Sequence, residues 1–290
     1  MKQKILFIVN PISGVGRHKT VEKLIDECLD RTAFDYELSY TKAAKHAIEL
    51  SSQAVKENFN IVVAVGGDGS VNEIGKSLVG TTTALAILPC GSGNGAARHM
   101  KIPMNLKKAM EVVNRGNVKK IDTFKVNDEV VINAAGIGFA AHIAHEFSKY
   151  KKRGFNNYLK IAVRDSMKYK SQPCEVEVNG IKKKVNGFLI DICNGTQWGN
   201  NAVVAPDAKN DDGLLDLCIV NDFPYINFPF MALRLFTNSI DRSKFVEIIK
   251  FKEAVIRQKY DFAHIDGEPY MVGNELKVKI DPLSLTVIVP

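Results

Sequence analysis

Hydrophobic and polar positions follow two different rhythms along the chain, and the change falls near residue 122. Before it, short apolar runs alternate with amphipathic segments of helical period. The strand-like runs are 4–9, 35–40, 61–65 and 84–88, and the helical segments are 18–30, 43–57, 70–79 and 105–115. This alternation predicts a parallel sheet covered by helices. We therefore predict an α/β domain over residues 1–124, with helices on both faces of its parallel sheet.

Short strand-like runs dominate the rest of the chain. They are 130–134, 174–179, 184–193, 214–220, 246–250, 253–258, 262–265 and 275–280, and helical segments near 139–149, 156–169 and 225–237 interrupt them. Residues 174–180 alternate between apolar and polar and end in Asn-Gly, which is a strong hairpin signal. These patterns predict a mostly antiparallel β-sandwich domain over residues 125–279. The last strand, within 280–290, is predicted to complete the sheet of the first domain.

Three glycine-rich turns each follow an apolar strand of the first domain. They are Asn-Pro-Ile-Ser-Gly at 10–14, Gly-Gly-Asp-Gly-Ser at 66–70 and Gly-Ser-Gly-Asn at 91–94. Glycine lets the backbone approach a ligand closely, and the N-terminus of a following helix favours anions. Because such turns gather at the carboxyl edge of a parallel sheet, they predict a phosphate-binding site there. The chain contains no G-x-x-x-x-G-K-[ST] motif, so a P-loop enzyme is excluded.

The composition of the 290 residues, with 46% hydrophobic and 24% charged residues, is that of a soluble globular protein. Five widely spaced cysteines argue against a disulfide framework and favour a reducing compartment, so a cytoplasmic protein is expected. The first ten residues do not have the pattern of a signal peptide. The longest apolar stretch, 223–233, is too short to span a bilayer, so any membrane contact is expected to be peripheral.

The net charge of +7 fits an anionic partner. Basic residues cluster at 149–153 and 182–184, and they form either a solvated face or a contact with an anionic membrane surface. Nucleic acid is not expected as a partner, because no aromatic platform or reading motif accompanies the charge. Region 223–236 is either plain core or a wall of an apolar lipid pocket. A homodimer is one assembly that the sequence leaves open.

Several acidic residues are candidates for chemistry. Asp68, in the second glycine turn, is placed to hold Mg²⁺ or to orient an attacking hydroxyl group. In the turn Asp266-Gly267-Glu268, either carboxylate is a candidate general base. The acidic run 207–213 is either a simple turn or a site for a divalent ion.

Two further motifs are interpreted as packing features. Residues 136–141 fit G-x-G-x-x-A, but the acidic residue that a dinucleotide site needs about 20 positions later is missing, so a packing turn is predicted. His142 and His145 lie one turn apart on a predicted helix and are interpreted as surface or packing histidines rather than metal ligands.

Five motifs in a fixed order resemble the diacylglycerol kinase catalytic-domain superfamily, which includes bacterial lipid kinases and sphingosine kinases. They lie at 10–14, 66–73, 88–98, 205–217 and 265–269. The likeness covers nearly the whole chain. It implies an α/β nucleotide domain followed by a β-sandwich lipid-substrate domain, with ATP and Mg²⁺ as cofactors and a lipid as substrate.

The turns and the resemblance together assign roles to individual residues. ATP is expected to contact Asn10, Pro11, Ile12, Ser13, Gly14, Thr41, Gly66, Gly67, Asp68, Gly69, Ser70, Asn72, Glu73, Gly91, Ser92 and Asn94. The resemblance implies that Glu268 accepts the proton and that Asp68 is central to metal and phosphate handling. It further implies a structural Mg²⁺ site formed by Asp212 with the backbone of Lys209 and Leu214, and it matches Asp122 to a carboxylate of the family's acidic network.

The chain departs from the family pattern at a few positions. Gly95 stands where many relatives have aspartate. This departure favours the sphingosine-kinase-like or uncharacterised bacterial branches of the superfamily and leaves metal use open. Val15 stands where a basic residue is common, with Arg17 the nearest replacement, and Ser70 and Ser92 replace threonine.

The sequence thus predicts an ATP-dependent, Mg²⁺-dependent kinase that phosphorylates a hydroxyl group of a diacylglycerol- or sphingoid-type lipid. An NAD kinase is an alternative, since it shares Gly-Gly-Asp-Gly, although the motifs at 211–216 and 266–268 argue against it. A non-catalytic regulator that binds nucleotide or lipid is a third possibility from another class.

Overall fold

A computed structural model of the chain describes residues 2–13, 20–150 and 155–290. The chain divides into two compact units, one formed by Met1–Ile121 with Leu283–Pro290 and the other by Asp122–Pro282.

The first unit has the alternating order of strands and helices that the apolar pattern predicts. Its first four strands are β1 (Gln3–Val9), β2 (Phe34–Tyr40), β3 (Ile61–Gly66) and β4 (Ala84–Pro89). Its helices are α1 (Val21–Cys28), α2 (His46–Lys56), α3 (Asp68–Leu78), α4 (Gly95–His99) and α5 (Leu106–Arg115). The four strands pair in parallel in the order β2-β1-β3-β4.

Burial shows that helices and loops cover this sheet on both sides. Every residue of β3 and of β4 is buried, and successive side chains of a strand point to opposite faces. Both faces of the central strands are therefore shielded from water, as in other parallel sheets. The predicted α/β domain with a parallel sheet is confirmed.

The second unit is mostly antiparallel. Its strands are β5 (Val118–Val126, shared with the first unit), β6 (Glu129–Val131), β7 (Ala134–Gly138), β8 (Gln172–Val178), β9 (Ile181–Cys193), β10 (Gln197–Gly199), β11 (Ala202–Val203), β12 (Leu215–Asn221), β13 (Val246–Phe251), β14 (Glu253–Arg257), β15 (Phe262–Ile265), β16 (Glu268–Met271) and β17 (Glu275–Ile288, shared with the first unit). Its helices are α6 (Phe139–Ser148), α7 (Phe155–Ser166) and α8 (Phe228–Phe236), with 3-10 turns at Tyr225–Asn227 and Ile240–Arg242.

Strand pairing in the second unit runs in the order β16-β15-β7-β9-β8-β14-β17, and β12 joins β9 to β13. Inward-facing residues of these strands form one apolar core, which includes Phe124, Ile137, Val176, Ile190, Leu217 and Phe251. The mostly antiparallel, sandwich-like second domain is confirmed.

The structure differs from the sequence prediction at several boundaries. Strand β5 was not predicted, because three lysines and an aspartate interrupt its apolar pattern. The C-terminal region was predicted as two strands, at 275–280 and within 280–290, but it forms the single strand β17. The five-residue helix α4 was also not predicted, because it is too short to show a helical period.

Residues 136–141 are not the packing turn that we predicted. Gly136 to Gly138 belong to β7, and α6 begins at Phe139. The packing interpretation itself agrees with the structure, because a Cβ atom at Gly136 would overlap Oδ1 of Asp191 on the neighbouring strand β9.

None of the helices in the described part of the chain is long and apolar enough to cross a membrane. All five cysteines are free thiols.

Candidate active site

The three glycine turns meet at the carboxyl edge of the parallel sheet of the first unit. The carbonyl oxygen of Gly66, at the end of β3, accepts hydrogen bonds from the backbone N–H groups of Cys90 (2.8 Å) and Gly91 (3.1 Å), which follow β4. The Asn10 N–H, directly after β1, donates to the carbonyl of Val65 (3.1 Å). The turns after β1, β3 and β4 therefore form one continuous edge, as the strand order requires.

Gly67 and Gly91 bring two of these turns into direct backbone contact. A Cβ atom on Gly67 would lie 3.1 Å from the Cα atom of Gly91, and a Cβ atom on Gly91 would overlap the Cα atom of Gly67. Only glycine at both positions allows this approach. The result is a rim of bare backbone, which is the kind of surface that phosphate groups bind.

Asp68 is the first residue of α3, which begins two residues earlier than we predicted. Its Oδ1 atom accepts a hydrogen bond from the Ala96 N–H (3.1 Å) and so ties α3 to the start of α4. The first N–H groups of an eleven-residue helix such as α3 have no partner within the helix and carry its positive dipole end. The Asp68 carboxylate therefore lies at a helix end that favours anions.

Several residues predicted to contact the nucleotide form hydrogen bonds within this edge. The Asn10 side-chain amide donates to Oγ of Ser70 (3.2 Å), and the Thr41 N–H donates to the Val9 carbonyl (2.9 Å). Oε1 of Glu73 accepts the Lys45 N–H (3.2 Å). The structure therefore brings Asn10, Ser70, Thr41 and Glu73 to the same sheet edge, with roles in shaping its loops.

The first turn has its own internal hydrogen bonds. Oδ1 of Asn10 accepts the Ile12 N–H (3.0 Å), and Oγ of Ser13 donates to the Asn10 carbonyl (2.8 Å). Ile12 and Ser92 are exposed, whereas Ser70 and Asn72 are buried. Gly14 lies outside the described residues.

Asn94 carries an unsatisfied acceptor in the third turn. It adopts a left-handed conformation (φ 53°), and its amide nitrogen donates to the Gly91 carbonyl (2.8 Å). Its Oδ1 atom is buried and has no hydrogen-bond partner among the described residues. Because such an acceptor costs about 1–3 kcal/mol when unpaired, we expect a hydroxyl, amine or water donor to complete it.

Asp266 closes a tight hairpin between β15 and β16. Asp266 and Gly267 both have positive φ (47° and 84°), as in a two-residue type I′ turn, and Ile265 pairs with Glu268. The Asp266 carboxylate accepts three backbone N–H groups, from Ile132 (3.0 Å), Asn133 (2.9 Å) and Ala134 (2.9 Å). These bonds commit Asp266 to holding the chain before β7, which leaves Glu268 as the candidate base of this turn.

Glu268 is the first residue of β16 and is half-buried. It belongs to the second unit, whereas Asp68 belongs to the first. The catalytic roles of Asp68 and Glu268 stay predictions.

A fully buried carboxylate organises the loop of the predicted structural Mg²⁺ site. The Asp122 N–H donates to the Asn210 carbonyl (2.7 Å), and Oδ2 of Asp122 accepts the Gly213 N–H (2.8 Å). The acidic loop that contains Lys209 and Asp212 is therefore fixed at both ends by one residue.

The Asp212 carboxylate already faces a cation. Its Oδ1 atom accepts the Leu214 N–H (3.1 Å), and its Oδ2 atom lies 3.5 Å from Nζ of Lys250, which also contacts Asp216 (3.0 Å). Burial raises the pKa of Asp216, although the Lys250 ammonium group acts against this rise. Across the described ranges no group of three or more His, Cys, Asp or Glu residues is placed to hold a metal ion. The predicted Mg²⁺ site consists of one side-chain carboxylate and two backbone groups, so it does not require such a group of three side chains. The site therefore stays a prediction.

Sequence analysis missed a buried polar cluster in the second unit. Asp191, which is fully buried in β9, contacts Nε2 of His264 (2.7 Å) through one oxygen and Nε1 of Trp198 (2.5 Å) through the other. The only signal in the sequence is a charged residue inside the apolar run 188–193. The Nδ1 atom of His264 is buried without a hydrogen-bond partner among the residues that the structure describes.

Two family models together cover most of the chain. Residues 4–126 match the diacylglycerol kinase catalytic domain, and residues 132–289 match the YegS C-terminal NAD kinase beta sandwich-like domain. The chain belongs to the YegS-like lipid kinase family.

Relatives of the family align over most of the chain. The probable lipid kinase YegS-like protein of Klebsiella pneumoniae is 28% identical over 285 residues, which is 96% of this chain and 94% of that protein. The probable lipid kinase YegS of Salmonella arizonae is 30% identical over 236 residues, covering 79% of this chain and 78% of its own length.

Solved structures support the fold of the family. A crystal structure of a diacylglycerol kinase from Bacillus anthracis str. Sterne has a TM-score of 0.75 at 20% identity and covers 99% of this chain and 97% of its own. A second structure from that organism has a TM-score of 0.82 at 22% identity, with 99% and 95% coverage.

Proposed function

We propose that this chain transfers the γ-phosphoryl group of ATP to a hydroxyl group of a diacylglycerol- or sphingoid-type lipid. The observation that carries the proposal is the meeting of three glycine turns and the α3 N-terminus at one sheet edge. The Gly67–Gly91 contact and the Asp68–Ala96 hydrogen bond join them. Membership of a lipid kinase family supplies the class of acceptor.

The sheet edge fits a chain of phosphates. The turns after β3 and β4 present bare backbone at Gly67 and Gly91, and the first N–H groups of α3 add a positive dipole end, so developing negative charge on the phosphoryl oxygens is stabilised. Phosphoryl transfer needs mainly positioning and charge neutralisation, which an arrangement of fixed backbone groups supplies.

The Asp68 carboxylate fits Mg²⁺, because carboxylate oxygens are the ligands that this ion takes from proteins. When bound, Mg²⁺ neutralises charge on the phosphate groups. Glu268 is proposed as the acceptor of the proton that leaves the lipid hydroxyl as its oxygen bonds to phosphorus and ADP departs.

The test uses purified protein, radiolabelled ATP and mixed micelles of diacylglycerol, sphingosine, ceramide or monoacylglycerol, with NAD as a soluble acceptor. We expect transfer to a lipid, and a loss of kcat of about 10²–10⁴-fold for Asp68→Asn and for Glu268→Gln. Asp35→Asn and Glu253→Gln, which alter exposed carboxylates in the same two units, serve as matched controls.

Two results would contradict the proposal. One is the absence of transfer to every lipid while nucleotide still binds, which would indicate a non-catalytic binding protein. The other is phosphorylation of NAD in place of lipid.

A further inference from the structure

Helix α8 and the turn before it direct an apolar row into solvent. Ile226, Phe230 and Leu233 are 76%, 65% and 59% exposed, and their spacing places them on one side of a helix. Within α8 only Met231 is buried. The segment is therefore not plain core, which was one of the two interpretations that its composition allowed.

Helix α7 has a second exposed apolar row with basic residues beside it. Leu159 and Val163 lie four residues apart on α7, and Met167 continues the row in the turn directly after the helix; all three are exposed. The next position along each turn is also exposed and basic, and these residues are Lys160, Arg164 and Lys168. Side chains four residues apart stack on one helix face, so the apolar row and the basic row run side by side.

The inner faces of both helices pack on the same aromatic cluster. Ile161 of α7 is buried in this cluster together with Phe139 of α6, and Phe228 of α8 packs against it, with its ring centroid 6.3 Å from that of Phe139. Helices α7 and α8, which carry the two exposed rows, thus form one helical layer over the aromatic cluster of the second unit.

The distribution of charged residues in this helical layer indicates what kind of surface it contacts. Residues 149–170 contain eight basic residues and one acidic residue, and Asp165 is that acidic residue. Residues 223–240 contain a single charged residue, Arg234. An apolar row flanked by lysine and arginine is the pattern of a helix that lies in the interface of an anionic bilayer.

We propose that α7 and α8 dock this protein on an anionic lipid bilayer, with Ile226, Phe230 and Leu233 inserted between the lipid headgroups. The proposal rests on the proposed lipid kinase function only for the expectation that the acceptor lies in a membrane. The apolar row of α8 supplies insertion, and the basic row of α7 supplies attraction to lipid phosphates.

Flotation with vesicles tests the docking without any nucleotide. Vesicles of phosphatidylcholine with phosphatidylglycerol are compared with vesicles of phosphatidylcholine alone. Ile226→Asp should weaken binding to the anionic vesicles by at least about tenfold, because a charge replaces a large apolar side chain at the insertion point. Ile181→Asp is the matched control, since Ile181 is 65% exposed on the β9 strand and should leave binding unchanged.

A second pair of variants separates charge from insertion. Lys160→Gln with Lys168→Gln should weaken binding to the anionic vesicles several-fold and leave the weak binding to phosphatidylcholine unchanged. Circular dichroism and thermal unfolding check that each variant is folded, and Leu233→Ser provides a milder change of the same row.

The outcomes distinguish docking from catalysis. Vesicle binding without phosphorylation of any lipid would contradict the proposed function and leave the docking intact. Equal binding by Ile226→Asp and Ile181→Asp would overturn the docking, whatever the kinase activity. A change from dimer to monomer in sedimentation velocity, with unchanged vesicle binding, would also overturn it, because the row would then be an interface between two copies.

Discussion

Replacement of Asp266 by asparagine distinguishes the roles of the two carboxylates in the Asp-Gly-Glu turn. The turn sequence by itself makes either carboxylate a candidate for the general base. In the structure the Asp266 oxygens accept three backbone N–H groups of the 132–134 segment, all of them buried. Asparagine keeps one acceptor oxygen and turns an amide nitrogen towards the remaining N–H group. The change therefore removes one hydrogen bond. The two bonds that remain are made to a neutral amide oxygen instead of a charged carboxylate.

The expected cost follows from these three bonds. A buried N–H group left without an acceptor costs about 1–3 kcal/mol, and loss of the charge weakens each of the other two bonds by about 0.5–1 kcal/mol. Asparagine tolerates the left-handed conformation of this position, so no backbone strain is added. The free energy of unfolding of the second unit should fall by about 2–5 kcal/mol, which lowers its Tm by roughly 4–20 °C.

Calorimetry and urea titration of Asp266→Asn, Glu268→Gln and the exposed control Asp261→Asn measure this difference. We expect reduced stability only for Asp266→Asn, and reduced kcat at unchanged stability for Glu268→Gln. The assignment of Asp266 to structure would be refuted if Asp266→Asn unfolded like the wild type and lost kinase activity to the same extent as Glu268→Gln.

Two further predictions concern the close backbone approach of Gly67 and Gly91 and the ion pair of Arg164 with Asp165. Gly91→Ala forces the backbone away from Gly67 and should weaken ATP binding about tenfold or more in a fluorescent-nucleotide titration. Gly80→Ala, at an open position with positive φ, should cost only about 1 kcal/mol of stability and leave ATP binding unchanged. The Arg164 guanidinium lowers the pKa of Asp165 to about 2, so Asp165 stabilises the fold above its ordinary pKa near 4, and this contribution is lost as pH falls towards 2. The stability difference between wild type and Asp165→Asn should be about 1–2 kcal/mol at pH 5 and roughly half of that at pH 3 in urea titrations, and an equal difference at both pH values would contradict the assignment.

The sheet edge at which the glycine turns meet was predictable because its determinants are local. Strands β1, β3 and β4 contain short apolar runs, and each glycine turn directly follows one of them. Parallel pairing then brings the carboxyl ends of the strands together without further information. The contact between Gly67 and Gly91 is a consequence of that pairing, although the residues lie 24 positions apart.

The polar cluster around Asp191 could not be predicted in the same way. Asp191, His264 and Gly136 come from strands that are distant in sequence, and only the order β15-β7-β9 brings them together. Helix α8 presents a related difficulty. Apolar side chains lie on both of its sides, so its sequence does not show which row faces the core and which faces solvent.

The C-terminal segment has a consequence for biosynthesis. Val287 pairs with Leu85 beside β4, and the Val289 N–H donates to the Asn117 carbonyl (2.9 Å), so the sheet of the first unit incorporates residues that follow the whole second unit. Ribosomes add about 5–20 residues per second, so roughly 10–30 s separate synthesis of residue 121 from that of Leu283. During this interval the nascent first unit has an open edge at β4. The first unit begins synthesis first, yet its sheet is complete only after residues 283–290 have been made.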